Sequence, residues 1–149
     1  MKYLHIDFED EHYWLEIGDE SYALRQLVIE DNGLCHLSCL EDCLAEGIIN
    51  EKEFDGEVYL ITQNEFDNMW DTATMEKRKF WDILKKKYPI GKRVKGKTLY
   101  SYPQGWILSI GQLIGICQDV CNLQPNTSFK GQIIGYDEVN MWAIVSIDI

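Results

Sequence analysis

The segment from His5 to His12 holds the side chains best suited to bind a metal ion. Its potential ligands are His5, Asp7, Glu9, Asp10, Glu11 and His12. Alternation along an extended strand would place His5 and Asp7 on the same face. A polar strand face that runs into an acidic loop has the same composition and is far more common. We therefore predict no metal site here.

The five cysteines form the second group of candidate ligands. They recur at every fourth residue in two clusters: Cys35, Cys39 and Cys43, close to His36, and then Cys117 and Cys121. This spacing falls within the range of structural zinc sites. An odd number of cysteines fits poorly with a closed disulfide framework, whereas reduced cysteines pack as small apolar side chains. We predict buried thiols without a bound metal.

Sequence patterns of common catalytic sites are absent from the chain. It contains no glycine-rich phosphate loop, no HExxH and no G-x-S-x-G. The adjacent carboxylates Glu41 and Asp42 fall in a predicted first helical turn, where they would complement the helix dipole. No nucleophile has a base beside it. We predict a protein that is not an enzyme and carries no cofactor.

The formal net charge of −11 conceals an asymmetry along the chain. Residues 1–84 contain 21 acidic and 6 basic residues, a net charge of −15, and residues 85–149 contain 4 and 8, a net charge of +4. Seven of those eight bases lie between Lys85 and Lys97. Such a division predicts two regions with different electrostatic partners.

Composition and patterning predict a folded cytoplasmic protein. Its hydrophobic content of 46% and aromatic content of 12% argue against disorder. No apolar run approaches the about 18 residues that a membrane-spanning helix needs. The N-terminal residues turn acidic within the first seven, which does not resemble a secretory signal peptide.

Alternating apolar residues in the first half predict an α+β unit. Strands are expected at residues 3–8, 13–17, 22–30, 34–37 and 57–61. The Asn32-Gly33 pair favours a tight hairpin turn, because both residues accept a positive φ. Capping boxes that begin at Ser38 and Thr62 predict a short helix up to about Gly47 and a helical segment behind Glu65.

A longer helix is predicted from Thr72 to Lys87. Phe80, Ile83, Leu84 and Lys87 follow the spacing of one buried helical face. Pro89 ends the helix, since proline disfavours helical geometry in the residue before it. The predicted organisation is an acidic α+β domain at 1–71, a connecting helix at 72–87 and an all-β domain at 88–149.

Short strands punctuated by glycine predict a small closed barrel after Pro89. The five expected strands are 92–102, 105–110, 113–117, 130–136 and 141–147. Glycine permits the bulges and sharp coiling that a small barrel requires, and closure removes exposed strand edges. We predict an all-β five-stranded barrel of the oligonucleotide/oligosaccharide-binding (OB) type.

This half resembles the S-one-type RNA-binding domain, the repeated OB-fold barrel of the largest ribosomal small-subunit protein. The family pattern G-x-x-V-x-G-x-V is similar to Gly91–Thr98, and P-F-G-x-F-V-x-L-G is similar to Pro103–Gly111. The later G-L-V-H corresponds to Gly115–Gln118, and a further glycine strand corresponds to Gly131–Ile134. The resemblance implies the barrel fold and, in the family, RNA binding.

The chain departs from the family at the residues that contact RNA bases. Gln104, Ile107 and Gln118 stand where the family has two phenylalanines and a histidine. Base stacking on aromatic side chains contributes about 1–3 kcal/mol per base, so their loss weakens this function. Trp106 and Trp142 are further aromatic candidates, but strand alternation places Trp106 on the side opposite to Ile107. The complete candidate set is Lys92, Arg93, Lys95, Lys97, Tyr100, Tyr102, Gln104, Ile107 and Gln118, in which the cations would contact phosphates.

Two functions from different classes follow from these features. The first is a bacterial binding protein, of an immunity or regulatory type, whose acidic domain and repurposed barrel hold a basic protein partner. The second is an RNA-binding accessory protein that uses the basic strip. The replacements at Gln104, Ile107 and Gln118 favour the first. A basic strip that docks on the acidic domain of the same molecule would also explain the charge division without a partner.

Overall fold

The computed structural model describes residues 1–119 and 122–148, and the predicted thiol at Cys121 lies outside them. The chain divides into two compact units, Met1–Met75 and Glu76–Ile149. The division falls inside the helix α1 (Gln63–Lys87), so each unit contains part of this helix. No helix of the described residues is long and apolar enough to cross a membrane.

The first unit is built on a five-stranded antiparallel sheet. Its strands are β1 (Lys2–Phe8), β2 (Glu11–Ile17), β3 (Ala23–Glu30), β4 (Cys35–Leu37) and β5 (Glu57–Ile61). They lie in the order β4-β3-β2-β1-β5. The strands predicted from alternation are confirmed, with ends that differ by at most two residues, and the α+β character of this half agrees with the prediction.

A buried arginine joins the sheet to the first half of α1. The Arg25 guanidinium donates to both carboxylate oxygens of Glu16, at 2.9 and 2.7 Å, and to Asp67 of α1 at 2.9 Å. It also lies over the rings of Phe66 and Trp70, at 4.8 and 5.1 Å from their centroids. These contacts satisfy a charge that is almost inaccessible to water, and they fix which face of α1 packs on the sheet.

Residues 38–47 form turns, bends and irregular segments, so the short helix predicted there is wrong. The Ser38 hydroxyl accepts from the backbone N–H of Gln26 at 3.0 Å, and the Ser38 N–H donates to the Gln26 carbonyl at 2.9 Å. The side chain that would cap the helix is therefore used to extend the pairing with β3. Cys39 and Leu44 are buried by the same segment.

The second capping box is confirmed, because the Thr62 hydroxyl accepts from the Glu65 N–H and the Glu65 carboxylate accepts from the Thr62 N–H, both at 3.2 Å. Helix α1 then runs without a break from Gln63 to Lys87, so the helical segment predicted behind Glu65 and the helix predicted from Thr72 form one continuous helix. The predicted buried face is wrong in part. Leu84 is buried, but Phe80 and Ile83 are exposed.

The second unit contains the predicted closed five-stranded barrel. Its strands are β6 (Arg93–Tyr102), β7 (Gly105–Ile110), β8 (Leu113–Cys117), β9 (Ser128–Asp137) and β10 (Trp142–Ile147). The closed order is β10-β8-β7-β6-β9, and the β8/β10 pair is parallel. Gly96 permits the close approach of β6 and β7, since a Cβ there would lie 1.9 Å from the Ser109 carbonyl oxygen.

One carboxylate attaches the second half of α1 to the turn between β9 and β10. Glu138 accepts from the indole N–H of Trp81 at 2.7 Å and from Lys85 at 2.9 Å. Arg78 donates to the backbone carbonyl of Glu138 at 2.7 Å. Partial burial opposes ionisation of Glu138, but the hydrogen bonds from Trp81 and Lys85 outweigh it and lower its pKa. Trp81 instead of Phe80 therefore sets the face of α1 that packs on the barrel.

We expect Arg25→Met to lower the free energy of unfolding by about 3–5 kcal/mol, because Glu16 is left buried without its cation. Urea denaturation at neutral pH measures the loss. The double variant Glu16→Gln/Arg25→Met should be more stable than Arg25→Met alone, because the unpaired charge is gone. A double variant as unstable as the sum of the single variants would contradict this account.

Glu138→Gln should lower the melting temperature in a pH-dependent way. The pKa of Glu138 is lowered by folding, so its ionised form contributes stability that is complete above its ordinary pKa of 4.5. That contribution disappears as the pH falls through the lower folded value. The difference in melting temperature between wild type and variant should therefore be largest near pH 6 and shrink below pH 4. A difference that is the same at both pH values would exclude the charge as its cause.

Candidate functional site

The carboxylates of four strand ends collect at one end of the sheet in the first unit. Two of the three hairpin turns, at Glu9-Asp10 and Asp31-Asn32, lie at this end, and a backbone hydrogen bond of 2.9 Å joins Asp31 to Asp10. Register brings the start of β5 to the same place, with Glu57 opposite Asp7. We call this group the acidic end; its members are Asp7, Glu9, Asp10, Glu11, Glu30, Asp31, Asp55 and Glu57.

Among residues 1–119 and 122–148, no lysine or arginine forms an ion pair with the acidic end. Residues 1–75, all of which the structure describes, contain three such cations. Lys2 pairs with Glu51, Arg25 pairs with Glu16 and Asp67, and Lys52 forms no ion pair with the group. Glu11 and Glu30 lie directly opposite each other on β2 and β3, which is an unfavourable pairing of like charges.

Two imidazoles contact these carboxylates. His12 lies 2.6 Å from Asp7 through Nδ1 and 3.0 Å from Asp31 through Nε2. His36 lies 2.9 Å from Glu30. The hydrogen bond to Asp7 raises the pKa of His12, and the hydrogen bond to Glu30 raises the pKa of His36. The local negative potential therefore favours cations at this surface.

Three of the six predicted N-terminal ligand candidates come together. His5 Nε2, Asp7 Oδ1 and His12 Nδ1 all lie within 4.8 Å of one another, and no other such group of His, Cys, Asp or Glu occurs within 1–119 and 122–148. Glu9, Asp10 and Glu11 are outside it. The cysteines that lie at every fourth residue in the sequence do not form such a group within these ranges. Burial raises the pKa of the Cys43 thiol to about 12, which keeps it protonated at neutral pH.

Lysines on two neighbouring strands of the barrel form a basic groove. Lys95 on β6 lies directly opposite Lys130 on β9, and Lys97 lies opposite Ser128. The groove runs between them over Gly96 and the buried ring of Phe129. All three lysines are exposed, and no acidic side chain of the described residues forms an ion pair with them.

The predicted nucleic-acid residues fall into separate groups. Lys95 and Lys97 line the basic groove. Beside it, Lys92 donates to the Lys87 carbonyl at 3.2 Å, and Arg93 pairs with Asp148. Gln104 and Gln118 lie at the far end of β6, where the Gly105 Cβ position is 3.2 Å from the Gln118 Cα. Lys97 and Tyr102 are five positions apart on β6, roughly 17 Å along an extended strand.

Burial corrects the predicted set at two positions. Ile107 and Tyr102 belong to the barrel core, with exposed fractions of 1% and 7%. Tyr100 is half-buried and packs on Tyr102, with ring centroids 5.1 Å apart. Ile107 and Tyr102 therefore present almost no accessible surface to a base, and Tyr102 lies on the same inward-facing side of β6 as the buried Val94 and Thr98.

Sequence reasoning did not single out Lys130, Asp31 or Glu57 as site residues. Each lies near the others of its group through strand register and not through spacing in the chain. The available signal was topological, since consecutive antiparallel hairpins return alternate turns to the same end of a sheet. Comparisons with protein-family models and with curated proteins find no match to this chain.

Proposed function

We propose that this chain is a non-enzymatic bacterial binding protein whose acidic end holds a basic protein partner. The observation that carries the proposal is the collection of eight carboxylates at one end of a sheet without a lysine or arginine among them. Repulsion among these groups opposes folding, as at the opposed Glu11 and Glu30. A basic ligand would relieve that repulsion, which is a thermodynamic reason for binding.

An immunity-type or regulatory role is consistent with this chemistry. A protein that masks the basic surface of a partner needs a strong negative potential on its own surface. This potential accelerates association with the basic partner and weakens the binding of acidic proteins. Exposed Glu9, Asp10 and Asp55 supply that potential on turns and a strand end, where they can approach a partner without rearranging the sheet.

The barrel serves as a scaffold of the OB type in this proposal. Its five strands, closed order and glycine-dependent approach at Gly96 support kinship with the S-one-type domain. Gln104 and Gln118 lack aromatic surface, and Ile107 is buried. These three positions support a barrel that has kept its architecture without the base-stacking surface of the family.

A labelled peptide rich in lysine and arginine tests the main proposal. Fluorescence anisotropy should detect binding that weakens with salt. Glu9→Gln/Asp10→Asn should raise Kd about twofold to thirtyfold, because each exposed charge pair contributes about 0.2–1 kcal/mol. EDTA in the buffer keeps any metal effect out of this measurement.

The matched control is Glu20→Gln/Glu46→Gln, which removes two exposed carboxylates of the same unit outside the acidic end. Its Kd should stay within twofold of wild type. Equal weakening by both variants would show a response to net charge alone and would contradict the assignment to the acidic end. Absence of binding at low salt would reject the proposal.

The basic groove favours RNA as a second candidate function. Directly opposed lysines such as Lys95 and Lys130 repel each other, and a phosphate backbone along the groove would offset that repulsion. The groove tracks a strand pair and carries no exposed aromatic platform of its own, since Phe129 is buried. Binding there would be independent of base sequence.

For this alternative, single-stranded RNA of mixed sequence should bind with a steep salt dependence. Lys95→Gln/Lys130→Gln should reduce the slope of log K against log salt by about 1.4, since each phosphate contact on a single strand contributes about 0.7. The control Lys77→Gln/Lys86→Gln removes two exposed lysines of α1. An unchanged slope in the groove variant would exclude the groove as the RNA site.

A further inference from the structure

The geometry points to a binding site for one divalent transition-metal ion of the zinc class, formed by His5, Asp7 and His12. This inference is independent of the protein and RNA proposals, and it differs from the metal-free surface that we predicted from the sequence. It depends on four observations, which concern register, distances, a buried nitrogen and the orientation of two rings.

Strand register places the three ligands on one face of the sheet. His5 and Asp7 are two residues apart on β1, so their side chains point the same way. His12 on β2 lies directly opposite Asp7. All three therefore come from regular, hydrogen-bonded strands, which hold ligand positions more firmly than a loop does.

The distances are short enough for a metal ion to enter with small side-chain movements. Asp7 Oδ1 lies 2.8 Å from His5 Nε2 and 2.6 Å from His12 Nδ1. Bonds of about 2.0–2.1 Å in a tetrahedral site separate neighbouring ligand atoms by roughly 3.3 Å. Asp7 Oδ1 would therefore separate from each nitrogen by less than about 1 Å. The two nitrogens already lie within 4.8 Å of each other.

His5 Nε2 is a buried nitrogen that lacks a hydrogen bond of acceptable geometry. It lies 2.8 Å from Asp7 Oδ1, but the two atoms are not aligned as donor and acceptor. Buried polar atoms almost always have a partner, so an unsatisfied one requires an explanation. A cation between His5 and Asp7 supplies it, because a neutral imidazole nitrogen is a metal ligand that needs no aligned proton.

Neighbouring groups orient both imidazole rings. His12 Nε2 lies 3.0 Å from Asp31 Oδ1. With a metal ion bound to Nδ1, the Nε2–H would donate to this carboxylate. Metal-bound histidines commonly have such a carboxylate behind them. The His5 ring stacks on Trp14, with centroids 4.5 Å apart and planes 8° from parallel. Stacking fixes the plane in which Nε2 points at the cluster.

The ligand set selects the class of metal. Two imidazoles and one carboxylate suit Zn²⁺ and its neighbours in the transition series, whereas Mg²⁺ and Ca²⁺ prefer oxygen ligands alone. Three protein ligands leave a fourth coordination position for water. A protonated His12 that donates to Asp7 and Asp31 would explain those contacts without a metal, but it would leave His5 Nε2 with only its poorly aligned contact to Asp7.

Isothermal titration of the full chain with Zn²⁺, under reducing conditions, tests the site. We expect one ion per chain and a rise in melting temperature with Zn²⁺. His5→Gln and His12→Gln should each weaken Zn²⁺ binding more than tenfold and abolish that rise. The matched control is His36→Gln, which removes the imidazole that contacts Glu30 and Glu41 outside the cluster and should leave Zn²⁺ binding unchanged.

Titration with Co²⁺ separates this site from binding by cysteine. A nitrogen- and oxygen-ligated Co²⁺ gives visible ligand-field bands without a sulfur-to-metal charge-transfer band. A charge-transfer band, an affinity unchanged in His5→Gln, or equal weakening in His36→Gln would each overturn the assignment. So would no detectable binding of Zn²⁺ to folded wild type, with circular dichroism reporting the fold of every variant.

Discussion

The buried Arg25 is the constraint on which the first unit depends. A guanidinium removed from water is tolerable only when its donors and its planar faces are occupied. Glu16 and Asp67 occupy the donors, and Phe66 and Trp70 cover the faces. Because these partners come from β2 and α1, the requirement fixes where the helix packs. The part of the same sheet face that carries His5 and His12 is not part of this packed core, and both side chains are half-exposed there.

Ion pairs inside each unit determine which charged side chains remain exposed to solvent. Residues 1–75 contain 19 acidic and 3 basic residues, a net charge of −16, and residues 76–149 contain 6 and 11, a net charge of +5. In the first unit Arg25 neutralises internal carboxylates, so the acidic end keeps its own charge. In the second unit Lys85 and Arg93 pair with Glu138 and Asp148, and the lysines of the basic groove remain exposed.

Local sequence patterns predicted the structural features that depend on residues close together in the chain. Alternation gave the strands, the Thr62 capping box gave the start of α1, and glycine spacing gave the barrel. Predictions failed where a distant residue competed for a group. The backbone N–H of Gln26 donates to the Ser38 hydroxyl that would have capped a helix, and the Trp81 indole donates to the Glu138 carboxylate. The two residues of each pair are far apart in the sequence, so no local sequence pattern predicts their contact. The acidic end was equally hidden, because register alone brings Glu57 beside Asp7.

The proposed metal site and the acidic end share Asp7, and their chemistry is therefore linked. A divalent cation held by His5, Asp7 and His12 would reduce the negative potential that attracts a basic protein. Thermodynamic linkage then requires that metal and basic partner each weaken the binding of the other by the same factor, unless the partner itself supplies the fourth ligand. In that case the sign reverses, since the bound ion becomes part of the interface. Whether the partner supplies that fourth ligand therefore decides whether the metal ion and the basic protein compete or cooperate at this surface.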